Sequence, residues 1–100
     1  MQAKILIKRK FKKGKREEII ALLRELRSMA LQQPGYISGE TLSSSNYPQT
    51  LMVIGTWQDL ESWHNWKENN TRKTLEQMLT TYQEGETEYQ EFTLGGFIQE

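Results

Sequence analysis

The amino-acid sequence predicts an α+β protein built on one antiparallel sheet, in the order strand, helix, strand, strand, helix, strand. Three stretches carry that reading: the two-residue alternation from Ala3 to Lys12, the apolar positions spaced by three and four from Ile19 to Ala30, and the β-branched run Leu51–Trp57, which turns straight into a helix through Gln58-Asp59. With no repeat, linker or low-complexity segment in 100 residues, one ferredoxin-like βαββαβ domain over residues 1–100 is the economical arrangement.

In the first strand Ile5, Ile7, Arg9 and Phe11 share one face, and Lys4, Leu6, Lys8, Lys10 and Lys12 the other, so one side is mainly buried. Gly14 breaks the strand, and Glu17 and Glu18 put negative charge in the first turn of a helix, where the backbone dipole favours it. Ile19, Leu22, Leu23, Leu26, Met29 and Ala30 form its apolar stripe, and Gln33-Pro34-Gly35 stops it. Tyr36–Ser44 reads as the second strand, with a bulge or close backbone approach at Gly39, and Ser43–Pro48 as a turn-rich connection. Thr50–Trp57 is almost continuously apolar, which predicts burial on both faces. Asp59 can cap the second helix, placing Leu60, Trp63 and Trp66 on one face before Asn69-Asn70-Thr71 interrupts it. A further turn or two from Arg72 carries Leu75, Met78, Leu79 and Tyr82 and ends at Glu84-Gly85. In the last strand Glu86, Glu88 and Gln90 alternate with Thr87 and Tyr89, and Phe92, Leu94 and Phe97 continue around Gly95-Gly96. Met29, Met52 and Met78 read as core filling.

Composition narrows the class. A 36% hydrophobic content and a mean hydropathy of −0.74 leave a thin core, which a homodimer would enlarge. The absence of cysteine excludes disulfides and thiolate metal sites, and no apolar run approaches the roughly 18 residues of a membrane span. The basic N-terminus lacks the apolar region of a signal peptide, so a cytoplasmic protein is expected. Eight of the thirteen cations lie between Lys4 and Arg16, whereas Glu84–Glu100 holds five acids and no base. Pairing of these two segments is expected over nucleic-acid binding: the first and last strands should be antiparallel neighbours, with some of Lys8, Lys10 and Lys12 opposite Glu86, Glu88 or Glu91.

The run Gln33-Pro34-Gly35-Tyr36-Ile37-Ser38-Gly39, then a hairpin, a strand ending in Trp57 and an aromatic-bearing helix, resembles the antibiotic biosynthesis monooxygenase (ABM) domains over nearly the whole chain. The resemblance implies a dimeric α/β-barrel with a pocket between sheet and helices, in a family that includes cofactor-independent oxygenases of quinols or phenols and haem-degrading enzymes. Trp66, nine residues after Trp57, resembles a tryptophan of the haem-degrading branch. That branch's haem-ligating histidine and its first-strand asparagine would fall at Glu76 and Ile7, so haem binding or breakdown is the less favoured implication.

The candidate site follows from both readings. Trp57, Trp63 and Trp66 are in the ordinary case core or interface aromatics, and the same side chains can wall a pocket for a planar aromatic molecule. His64, the only histidine, is the candidate general base, although no acid at a fixed spacing orients it and an exposed helix histidine is the commoner case. With Trp66 it makes the candidate catalytic pair; Tyr36, Trp57, Trp63 and Arg72 are candidate substrate contacts, Arg72 for an anionic group. There is no histidine pair, no His/carboxylate cluster at ligand spacing and no glycine-rich phosphate loop, so no metal and no other cofactor is expected. Two functions remain: monooxygenation of a small aromatic without cofactor, or a non-catalytic binding or structural dimer of the same fold.

Overall fold

The structure, a computed structural model, describes residues 1–95. Four strands, β1 (Ala3–Lys10), β2 (Tyr36–Ser43), β3 (Thr50–Trp57) and β4 (Glu88–Thr93), form one sheet in the order β2-β3-β1-β4, with every neighbouring pair antiparallel. Helices α1 (Arg16–Ala30), α2 (Leu60–Lys67) and α3 (Asn70–Thr80) connect them in the predicted ferredoxin-like order. The alternation in β1 is realised as expected, with Ala3, Ile5, Ile7 and Arg9 buried toward the helices. Ile19, Leu22, Leu26 and Ala30 are the buried face of α1, which packs along α3.

The helix starts obey local chemistry. Asp59 caps α2, its carboxylate accepting the Ser62 N–H at 2.8 Å. Asn69 caps α3 in the same way, accepting from the Thr71 and Arg72 N–H groups at 2.9 and 3.1 Å, which is why the helical segment breaks there. α3 spans 11 residues, longer than the turn or two expected. Gly35 joins the layers: its φ is +85°, its carbonyl accepts the Gln58 N–H at 2.7 Å, and a Cβ there would lie 2.5 Å from that of Ser62.

β1 and β4 are antiparallel neighbours, and Lys8 stands opposite Glu88, as the charge pattern predicted. Lys10 instead approaches Glu84 at 3.6 Å, and Glu91 stands opposite Ile5 on the helix side, away from the lysines. Two other expectations are corrected, and the alternative of bulge or close approach at Gly39 is resolved. The bulge in β2 falls between Tyr36 and Ser38, not at Gly39. Gly39 is the close approach instead, since a Cβ there would lie 2.6 Å from the Tyr36 hydroxyl. β3 is only partly covered from Leu51 to Ile54, because one side faces a cavity and the other carries no helix. Met52 and Met78 are not core filling: Met52 lies opposite Lys8 on the sheet face away from the helices, and Met78 is 50% exposed, since α3 turns Leu75 and Leu79 inward and leaves Met78 outside. Phe97 and Glu100, assigned to the last strand and its acidic segment, lie outside the described residues.

Candidate functional site

The helices do not close fully onto the sheet. Between α1 and strands β1, β2 and β3 lies a cavity of about 330 Å³, mostly apolar. Ile5, Ile7, Leu51 and Val53 form its floor, and Leu23 and Leu26 of α1 lie across it. Aromatics close one end. The bulge sets Tyr36 opposite Trp57 in the β2–β3 ladder and leaves Ile37 half exposed, so the extra residue turns the tyrosine inward. Tyr36 then meets Trp57 edge-on, with ring centroids 5.2 Å apart and an interplanar angle of 86°. Trp57 meets Trp63 at 6.0 Å, and Trp63 meets Tyr89 at the same separation. Trp66 is buried beside them and also lines the cavity.

Charged side chains are buried among these rings. Arg9 and Arg72 are each 4% exposed and line the cavity with Glu76. Arg9 Nη2 donates to Glu76 Oε1; Arg72 Nη2 lies 3.4 Å from the same oxygen and donates to the Tyr89 hydroxyl at 3.1 Å. The Arg72 guanidinium also sits 5.2 Å from the Trp63 ring and 5.6 Å from that of Tyr89, on the faces that attract cations. Two guanidiniums thus share one carboxylate. Arg9 Nε is buried with no hydrogen-bond partner, the only such side-chain polar atom among the described residues.

Five of the six candidate residues, Tyr36, Trp57, Trp63, Trp66 and Arg72, line this one cavity. His64 does not. On α2 its neighbour Trp63 points inward, and the roughly 100° turn per helical residue carries His64 to the outside, where its side chain is 49% exposed. It has an acid partner that no local spacing disclosed: His64 Nε2 lies 3.0 Å from Glu91 Oε1, while Glu91 Oε2 accepts the Trp63 indole N–H at 2.7 Å. These bonds, that of His64 foremost, hold the Glu91 carboxyl below its ordinary value against the opposing effect of burial. The Trp63 N–H is therefore committed to Glu91, away from any ligand oxygen.

Arg9 and Glu76 were missed as site residues, though each left a sign in the sequence. Arg9 occupies an inward position of β1 between Ile7 and Phe11, and Arg72 and Glu76 flank Leu75 in the stripe that buries Leu79. Charge at an inward position is a stronger signal than the aromatic pattern, because ions are buried only when something compensates them. No group of three His, Cys, Asp or Glu side chains that could hold a metal ion occurs among the described residues. The chain's residues do not fit a haem iron at the position the resemblance implies. Glu76 is a hard oxygen donor already engaged by two guanidiniums, and its neighbours offer no imidazole.

A four-stranded ferredoxin-like sheet with a tryptophan-walled cavity under its helices defines the class: small α+β domains with an apolar cavity between sheet and helices. The chain belongs to the antibiotic biosynthesis monooxygenase family, whose model matches residues 3–89. No curated protein matches the sequence. Among solved structures the fold is similar to a conserved protein of Methanosarcina mazei Go1, with a TM-score of 0.85, 21% identity, and 92% of this chain and 91% of that one covered. It is also similar to SnoaB, a cofactor-independent oxygenase from Streptomyces nogalater, with a TM-score of 0.82, 14% identity, and 99% and 98% covered. Rv0793 from Mycobacterium tuberculosis aligns with a TM-score of 0.83 at 8% identity over 99% of this chain and 100% of that one. At these identities the likeness speaks for the fold alone.

Proposed function

We propose that this protein is a cofactor-independent monooxygenase acting on a small aromatic substrate, a quinol or phenol. The observation that carries the reading is the cavity itself, apolar, of a size for one or two fused rings, and walled by Trp57, Trp63 and Trp66. The family match and the oxygenase SnoaB among its fold neighbours support it. In this chemistry the substrate supplies all the electrons. The phenol loses its proton, the electron-rich anion passes an electron to O₂, and the radical pair recombines at ring carbon. Loss of water then leaves a quinone, so one oxygen atom enters the product and the other leaves as water.

The protein's share is to hold the ring on the indoles, stabilise the ionised form and keep bulk water away while the radicals exist. His64 takes no part in this scheme, because it lies outside the cavity. Oxygen uptake in the presence of 1-naphthol or a hydroquinone is expected above the buffer rate, and Trp66→Phe should raise KM. If uptake never exceeds buffer for any such substrate while aromatic molecules still bind, the chain is a non-catalytic binding member of its family.

The same reading includes a homodimer. The sheet face away from the helices bears Leu6, Met52 and Ile54, half-buried, with Leu42 and Phe92 exposed, and no element among the described residues covers it. Two such faces packed together would bury this apolar band and stiffen the floor of each cavity.

A further inference from the structure

We propose that the buried Arg9 and Arg72 form a seat for an oxyanion, and that the ligand of this cavity is an aromatic monoanion whose charged oxygen lies on the guanidiniums while its ring lies on the tryptophans. The inference rests on the aromatic-substrate reading above and adds the charge of the ligand to it.

Charge balance points there first. Arg9 and Arg72 are almost fully buried and share a single carboxylate, Glu76, so the interior holds one uncompensated positive charge. A lone buried cation is costly unless an anion joins it. The excess continues outward, since Arg24 and Arg27 of α1 stand at the cavity margin, whereas Glu40 is paired with Ile54 in the β2–β3 ladder and so directs its carboxylate to the other face of the sheet.

Geometry supplies the second argument. Arg9 spends Nη2 on Glu76, and its Nε is buried without any acceptor. A guanidinium presents five N–H donors in a planar fork suited to a two-oxygen acceptor. Tyr89 accepts from Arg72 and fixes that side chain against the Trp63 ring, so the second guanidinium is already positioned. Glu76 then orients both arginines without neutralising them.

The oxyanion has two possible sources, a carboxylate carried on the ring or a phenolate formed on binding. Calorimetric titration with 2-naphthoate and its neutral analogue 2-naphthamide isolates the charge, and the absorbance of bound 2-naphthol reports whether a phenol ionises in the site. Naphthoate is expected to bind roughly tenfold or more tightly than naphthamide. Arg9→Met should close that gap, Arg9→Lys should restore part of it, and Glu76→Gln should widen it by removing the competing carboxylate. The Glu76→Gln gain is not an effect that mere loss of folding can mimic. A naphtholate spectrum at neutral pH that vanishes in Arg9→Met assigns the seat to phenolates as well; its absence beside an intact naphthoate preference assigns it to carboxylates. Equal affinity for naphthoate and naphthamide, or a gap unchanged in Arg9→Met, overturns the anion seat and leaves the aromatic cavity standing. Failure of both naphthalenes to bind the folded protein overturns both. Absence of oxygen uptake with the charge preference intact removes only the monooxygenase reading.

Discussion

Glu91 shows how one carboxylate can hold two layers together. It accepts the Trp63 indole N–H and meets His64, so strand β4 is tied to the outer turn of α2. Because its folded pKa lies below the ordinary 4.5, its contribution to stability is fully present above that value and is lost as the pH falls through the lower, folded one. Urea midpoints measured between pH 7 and pH 3 should therefore fall more steeply for the native chain than for Glu91→Gln. At neutral pH that variant should lose about 1 kcal/mol, and the difference should close in acid. Parallel curves would remove Glu91 from the acid response. His64→Ala should leave the oxygenation rate unchanged, a large fall being the contrary result. Gly35 is the other residue on which local geometry concentrates. Gly35→Ala must strain a positive φ and displace Ser62, whereas Gly14 and Gly85 have positive φ with nothing within 4 Å of an added Cβ. The Gly35 variant should lose more than the roughly 1–3 kcal/mol of strain alone, and the other two should stay within it, as thermal melts can establish.

Among the elements, α2 and α3 are too short to be stable by themselves at 8 and 11 residues, so their caps and buried faces decide whether they form. Asp59→Ala and Asn69→Ala should each cost about 0.5–2 kcal/mol, while Asn69→Asp should be nearly neutral because aspartate caps as well. The consequence for the site is specific. Fraying of α3 would release Arg72 and Glu76 together, so Asn69→Ala should weaken aromatic binding at temperatures well below its global melt, which fluorescence of the cavity tryptophans would detect. The lysine-rich face of β1 carries less weight. Lys8 stands opposite Glu88 in the ladder and Lys10 pairs with Glu84 at the exposed surface, where such pairs contribute little.

At the scale of the whole molecule, the outer sheet face is the surface on which the proposed homodimer would form. Ile54→Lys places a charge in the middle of the apolar band, beside Leu6 in the β1–β3 register. Sedimentation should show a dimer for the native chain and a monomer for this variant, with the helix-side fold intact by circular dichroism. A native monomer at micromolar concentration would require another cover for that face. The cavity belongs to the opposite side of the same sheet, so through the two-residue alternation of their side chains β1 and β3 line the cavity on one face and carry the proposed dimer surface on the other.

Much of this was legible in the chain itself. The alternation of β1, the stripe of α1, the cap at Asp59 and the breaks at Gly14, Gly35 and Asn69 are local signals, and local signals fix element order, which with short connections leaves few topologies. The tryptophans were legible as cavity residues for the same reason, since a strand that turns directly into a helix keeps Trp57, Trp63 and Trp66 close in space. What only the tertiary structure decided are the pairings between residues far apart in sequence. Arg9 reaches Glu76 across 67 positions, and His64 reaches Glu91 across 27. No period in a sequence encodes such a meeting. It depends on strand register and helix rotation, and these are set by packing of the whole core: a bulge of one residue turned Tyr36 toward the cavity, and one step along α2 separated His64 from it.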